Sequence, residues 1–229
     1  MRFAIISAGE GSRLAHEGFN KPKPLVPICG VPMIERLIGI FMRSGATEIA
    51  VIINGDNPET VQFLQLLKKK YPIDLVVKKT PSSMHSLYEL RHFLRGDRFC
   101  LTTVDTIFKE EQFSGFIDAF KSLDSSGLMG VTEFVDDEKP LYVGTDQDMN
   151  IVGFYDEPND CRFVSAGVYA LPDSAIDLLE ECIENGQSRM RNFQRQLIAD
   201  KIHLKAYSLG NVVDVDHVSD ISVAESLIK

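Results

Sequence analysis

A chain of 229 residues, 44% hydrophobic and 25% charged, is long enough for one sizeable core and is not a disordered polymer. A net charge of −9, from 33 acidic against 24 basic residues, works against partnership with nucleic acid or an anionic membrane. No apolar run approaches the roughly 18 residues of a membrane span. The start, Met1-Arg2-Phe3-Ala4-Ile5-Ile6, meets Gly9 and Glu10 too early for a signal peptide, so a cytoplasmic protein is expected.

In chain order, residues 2–7 are a short apolar run and read as a buried parallel strand. Residues 32–44 place Met33, Ile34, Leu37, Ile38, Phe41 and Met42 on one helical stripe, with Gly45 as the C-terminal cap. Strands are then expected at 48–53, 73–78, 98–104 and 127–134, alternating with helices at 58–70, 84–94 and 110–122. Repeated strand–helix units with short connections predict a Rossmann-like α/β fold, its mixed, mainly parallel sheet covered by helices on both faces. The rhythm changes near residue 135. Segments 140–144, 149–155 and 162–170 read as strands joined by polar turns, a β-rich lobe inserted on or extending the main sheet. Helices at 173–184 and 188–200, a strand at 202–208 and a helix from 217 follow. One domain is expected, with residues 1–135 as its first half and 136–229 as its second. The four cysteines (Cys29, Cys100, Cys161, Cys182) lie far apart without a CxxC pair, which predicts buried free thiols rather than zinc or redox chemistry.

The first chemical signal is Ser7-Ala8-Gly9-Glu10-Gly11-Ser12-Arg13-Leu14, directly after the first strand. In an open α/β sheet, ligands sit beyond the carboxyl ends of strands. Glycines there let backbone N–H groups approach phosphate oxygens, and Arg13 adds a cation able to grip a triphosphate. A Walker A loop is excluded because GxxxxGK[ST] is absent, and Leu14 stands where a dinucleotide fingerprint needs its third glycine. Lys21-Pro22-Lys23-Pro24-Leu25-Val26-Pro27 follows, and its three prolines predict a stiff, extended course that returns two lysines to the phosphates.

Together, residues 7–34 resemble the signature of the sugar-phosphate and related nucleotidyltransferases, approximately A-A-G-x-G-x-R-L followed by K-P-K-x-L-x-P-x-x-G-x-P-M-I. The resemblance implies that Ala8, Gly9, Gly11, Ser12 and Arg13 hold an NTP and that Lys23 stabilises charge on the pentacoordinate phosphorus. Asp105 ends an apolar strand, where a carboxylate can hold Mg²⁺ through phosphate oxygens; the plainer alternative is a helix N-cap. Asp214-Val215-Asp216-His217-Val218-Ser219-Asp220 resembles the family's closing acidic segment, which implies a second metal ligand at Asp214 or Asp216. The family's small polar segment near the base corresponds to residues 80–88, with Ser83 and Ser86 able to bond a base edge. Residues 151–171 resemble the acceptor half, where the resemblance assigns Asp156, Ser165 and Gly167. Two departures stand out there. Glu157 replaces the lysine expected to meet the acceptor's phosphate, and Ser165 replaces an asparagine; Arg162, Lys139, Arg189 or Arg191 are the candidates to compensate.

The expected reaction is transfer of NMP from an NTP to a small phosphorylated acceptor, a sugar phosphate or a phospho-alcohol, with Mg²⁺ as cofactor and pyrophosphate as leaving group. A homodimer is left open. A glycosyltransferase using an NDP-sugar would share the fold, but the Lys-Pro-Lys loop suits a triphosphate. A non-catalytic nucleotide sensor would suit the altered acceptor motif, whereas Arg13, Lys23 and Asp105 argue for chemistry.

Overall fold

The computed structural model describes residues 1–9, 12–124, 126–134 and 139–229. Along the chain they form β1 (Arg2–Ser7), α1 (Ser12–His16), a 3₁₀ turn (Lys23–Leu25), β2 (Pro27–Ile28), β3 (Val31–Pro32), α2 (Met33–Arg43) and β4 (Ile49–Ile53). Next come α3 (Pro58–Leu67), β5 (Ile73–Val77), α4 (Ser83–Leu94), β6 (Phe99–Thr103), β7 (Thr106–Ile107), α5 (Glu110–Ser122) and β8 (Gly127–Thr132). The second half holds β9 (Tyr142–Thr145), β10 (Ile151–Tyr155), β11 (Phe163–Leu171), α6 (Ser174–Glu184), α7 (Met190–Ala199), β12 (Leu204–Ser208), β13 (Val213–Asp214) and α8 (Val218–Ile228).

Because β1 is apolar at every inner position, it needs cover on both faces, and it lies inside the sheet between β4 and β6, parallel to both. The main path runs β10-β9-β11-β6-β1-β4-β5, with β8 and β12 branching from β11. Strands β6, β1, β4 and β5 are parallel, as are β8 and β12, while β11 is antiparallel to β6, β8 and β9. The lobe expected after residue 135 is thus an antiparallel extension of the main sheet through β11. Alternation along β1 sends Phe3 and Ile5 into a core shared with α2, α3 and α5. Ala4 and Ile6 enter the opposite core, shared with α4, α6 and α7. At the outer edge of that second core Arg91 of α4 and Arg95, just beyond it, pair with Glu180 of α6, and Arg95 with Asp177.

Local signals explain most boundaries. Helix α2 ends where Gly45, at φ +93°, takes the left-handed conformation. The Gly45 N–H donates to Met42 O at 3.2 Å and the Ala46 N–H to Phe41 O at 3.0 Å, closing the helix in a Schellman motif. The proline-rich stretch departs from expectation. Instead of one extended run it makes a 3₁₀ turn over Lys23–Leu25 and then the small β2–β3 hairpin. A first-turn position tolerates Pro24, whose missing N–H would have no helical partner anyway. The short α1 also begins immediately after the glycine-rich loop. The cysteines divide: Cys100 and Cys182 are buried, Cys161 is half-buried, and Cys29 is exposed at the hairpin tip, so the expected burial holds for only two. Among the described residues no helix is long and apolar enough to cross a membrane.

One irregularity positions the functional face. The β11–β8 register breaks between Ser165 and Tyr169, and Gly167 in that break has φ +69°. A Cβ there would stand 2.9 Å from Thr106 Oγ1, so β11 lies against the β6–β7 turn with no room for a side chain. Gly167→Ala should lower unfolding stability by about 1–2 kcal/mol, read from urea denaturation. Phe113 is fully buried and stacks on Phe41, Phe108 and Phe116 at 5.4, 5.0 and 6.1 Å between ring centres. Phe113→Ala should cost about 3–5 kcal/mol in the same measurement.

Candidate active site

From β1 the chain builds β4 and β5 on one side and then returns to add β6 on the other, which opens a crevice beyond the carboxyl ends of β1 and β6. A cavity of about 530 Å³ occupies it. Ala8 and Gly9 form its floor at the end of β1, Arg13 and Lys23 one side, Ser83 and Ser86 another, and Asp105 and Asp216 the head. Gly11 lies outside the described residues. Ser12 opens α1, the helix that carries Arg13.

Four charged groups interlock at the head of the cavity. Lys23 Nζ lies 2.5 Å from Asp105 Oδ2 and 2.6 Å from Asp216 Oδ1. Arg13 Nη1 donates to Asp216 Oδ2 at 2.6 Å. The lysine side chain is only 13% exposed, so this is a partly desolvated cluster rather than a surface pair. Burial alone would lower the lysine pKa, but Asp105 and Asp216 outweigh it and hold the ammonium above its ordinary range. Burial would likewise raise the Asp105 carboxyl, yet the facing Lys23 charge keeps it low. Asp214 behaves in the opposite way. Burial and the neighbouring Asp105 charge push its carboxyl up, and its Oδ1 is buried without a hydrogen-bond partner. It sits on β13, paired with Thr106 of β7, behind the cavity rather than in its lining.

Local structure explains how distant segments converge. The Asp105 carbonyl accepts the Val215 N–H at 3.1 Å, which brings the segment carrying Asp216 beside the end of β6. Thr103 and Thr106 hydroxyls bond at 2.7 Å across the turn that presents Asp105. On the wall formed by residues 80–86, Thr80 and Ser86 hydroxyls lie 2.6 Å apart and the Ser86 hydroxyl donates to Ser82 O at 3.3 Å. Ser82 Oγ also accepts the Arg189 N–H at 3.2 Å, joining this wall to the start of α7.

The acceptor-half residues fall outside the cavity lining. Asp156 accepts from Arg191 Nη1 at 2.6 Å and pairs with Arg195 Nη2 at 2.8 Å. Glu157 is exposed. Ser165 Oγ accepts from Gln194 Nε2 at 3.2 Å, and Gln194 is buried. Burial raises the Tyr169 hydroxyl to about 12, against its hydrogen bonds to Ser165 and Gln194.

Several site residues were not singled out from sequence. Asn54 Nδ2 donates to Gly9 O at 2.8 Å and, more weakly, to Ala8 O at 3.4 Å, holding the base of the glycine-rich loop. Its place just after the second parallel strand was a usable signal, since that strand end borders the same crevice. Thr103 lines the cavity and Gln194 supports Ser165, but neither has a motif of its own.

Comparison with known proteins places these features in a family. The family model described as "Nucleotidyl transferase" matches residues 4–224. The bifunctional protein GlmU of Methanococcus vannielii is 22% identical over 209 residues, 86% of this chain and 48% of its own. The chain thus spans about half the length of the curated relatives it matches. Among solved structures, the inositol-1-phosphate CTP transferase from T. maritima superposes with a TM-score of 0.82 at 16% identity, covering 100% of this chain and 96% of that one. The CTP:phosphocholine cytidylyltransferase from Streptococcus pneumoniae gives 0.79 at 19% identity, covering 100% and 99%. At these identities the structural likeness establishes the fold, and with the match over residues 4–224 the chain belongs to the nucleotidyl transferase family.

Proposed function

We propose that the protein is a nucleotidyltransferase that moves NMP from an NTP to a small phosphorylated acceptor and releases pyrophosphate. The observation that carries this reading is the cluster of Lys23, Arg13, Asp105 and Asp216 at the head of the cavity, facing the glycine-rich loop. Residues 1–135 would bind the nucleotide, and 136–229 the acceptor while supplying the closing acidic segment. An acceptor phosphate oxygen attacks the α-phosphorus, and the bond to the pyrophosphate oxygen breaks in line. No protein nucleophile is needed, because positioning and charge complementarity account for catalysis of this transfer. Arg13 and Lys23 supply positive charge to the phosphates, Asn54 keeps the loop backbone in place, and Ser83 and Ser86 face the base.

The carboxylates fit a divalent cation. Asp105 and Asp216 direct one oxygen each at a single point, now taken by the Lys23 ammonium, and Mg²⁺ commonly takes one or two carboxylates together with phosphate oxygens. Among the described residues no three His, Cys, Asp or Glu side chains cluster for metal binding, so the remaining ligands would come from substrate and water. Such an ion would neutralise phosphate charge. We assign its ligands as Asp105 and Asp216, with Asp214 as a buried neighbour. Lys23 and the ion then compete for the same carboxylate oxygens.

On the acceptor side, Arg191 and Arg195 take the role of the lysine that Glu157 replaces. Asp156 holds both guanidiniums together, and each can offer further N–H groups to an acceptor phosphate.

Pyrophosphate release, with each of the four NTPs against phosphorylated sugars, inositol phosphate and phosphocholine, tests the reaction directly. Activity needing one NTP and one acceptor is expected; a wild type silent across the panel would sink the reading. Lys23→Ala should lower kcat about 100- to 1,000-fold, the range for removal of a charge-stabilising donor. The same variant should bind Mn²⁺ alone more tightly than wild type, and equal or weaker binding would remove Lys23 from competition with the ion. Arg191→Ala should raise the acceptor KM about tenfold or more and leave the NTP KM within twofold, consistent with loss of a charged hydrogen bond.

A further inference from the structure

Asp216 is held from behind by contacts that the proposed transfer does not use. Its N–H and that of His217 both donate to Asp220 Oδ2, at 3.0 and 2.6 Å. The following turn is gripped from the far side of the crevice. Glu17 Oε1 lies 2.5 Å from His217 Nδ1, and Glu17 Oε2 accepts the Val218 N–H at 2.7 Å. Glu17 directly follows α1, one helical turn beyond Arg13, whose guanidinium reaches Asp216. The result is a closed circuit from Arg13 through α1 and Glu17 to the first turn of α8, then back through Asp216 to Arg13.

An isolated ion pair on the surface contributes little, because water screens it and two side chains must be ordered. Glu17 differs in two respects. Both of its oxygens are used, and one of them meets an N–H of the first turn of α8, a donor with no partner inside the helix. The hydrogen bonds from His217 and Val218 also hold the Glu17 carboxyl below its ordinary range. Asp220 fixes the backbone at Asp216 and His217 within the segment. Glu17 fixes that segment to the element carrying Arg13.

We propose that Glu17 is a positioning residue: by tying the first turn of α8 to α1, it holds Asp216 beside Lys23 and Asp105, where the two carboxylates would take a divalent cation. The metal part of this proposal rests on the assignment of Asp105 and Asp216 made above. Glu17 touches neither carboxylate, so its effect passes through the backbone of residues 216–218 and through α1 to Arg13. A shortened side chain separates geometry from charge, since Glu17→Asp keeps the carboxylate but cannot span both donors. Glu17→Gln keeps the length, with Oε1 able to accept the Val218 N–H and Nε2 able to donate to a neutral His217.

The test is Mn²⁺ titration of the metal alone, read by the electron paramagnetic resonance of free Mn²⁺, with pyrophosphate release measured in parallel. Glu17→Ala and Glu17→Asp should each weaken Mn²⁺ binding about tenfold, the lower end of losses seen for residues that orient metal ligands. Both should raise the Mg²⁺ needed for half-maximal turnover, leave the acceptor KM unchanged, and be largely rescued in Glu17→Gln. Wild-type Mn²⁺ affinity in Glu17→Asp, with only the melting temperature changed, would overturn the assignment. So would a wild type with no measurable Mn²⁺ affinity. Should Glu17→Ala fail to fold, the Asp and Gln variants decide alone. A wild type that binds Mn²⁺ but releases no pyrophosphate with any substrate would end the transferase reading and leave Glu17 judged on Mn²⁺ affinity.

Discussion

Two carboxylates brought within reach of one another repel unless a cation stands between them. In this protein Lys23 stands there, with one oxygen of Asp105 and one of Asp216 at 2.5 and 2.6 Å. Arg13 adds a second cation on the outer oxygen of Asp216. The four charges balance, so the head of the cavity can be partly desolvated without a lone buried ion, which would cost several kcal/mol. Asp214 lies just outside that balance. With no cation of its own, it is driven towards its neutral form by burial and by Asp105. Much of the surrounding architecture serves this arrangement. The 3₁₀ turn aims Lys23, the Thr103–Thr106 turn presents Asp105, and the Val215 N–H bond docks the closing segment.

The order in which these groups occur along the chain explains what could be read in advance. The glycine-rich loop and Arg13 follow a strand within a few residues, and Asp105 ends another, so their location at the crevice follows from strand ends alone. Parallel strands with apolar faces likewise announced themselves through short hydrophobic runs, and Gly45 marked a helix end that the structure closes with two hydrogen bonds. Boundaries shifted only by a turn or less, as where the helix expected over 58–70 stops at Leu67.

What remained illegible depends on contacts between distant segments. An extended strand through 214–216 would put Asp214 and Asp216 on one face, but β13 covers only Val213–Asp214, and the chain turns before Asp216. The separation of one carboxylate into the cavity and the other behind it therefore arises from pairing with β7, about a hundred residues earlier, which local pattern cannot reveal. The prolines misled for a similar reason. They fix φ, which suits extended chain and a 3₁₀ turn alike, and burial of Pro24 and Leu25 selects the turn. Arg191 is already a candidate in the sequence, whereas Arg195 joins it only because α7 lies against the end of β10, where both reach Asp156.

The packing of α4 against α6 has a consequence for how far the wall of the cavity can move. Helix α4 starts at the cavity wall with Ser83 and Ser86, yet its buried side, Met84, Leu87, Leu90 and Leu94, shares one core with Ile176 and Leu179 of α6. The arginine pairs to Glu180 and Asp177 close the outer edge of that seam. Parting the two helices as rigid bodies would expose the apolar seam to water, so the larger helices act as a fixed frame.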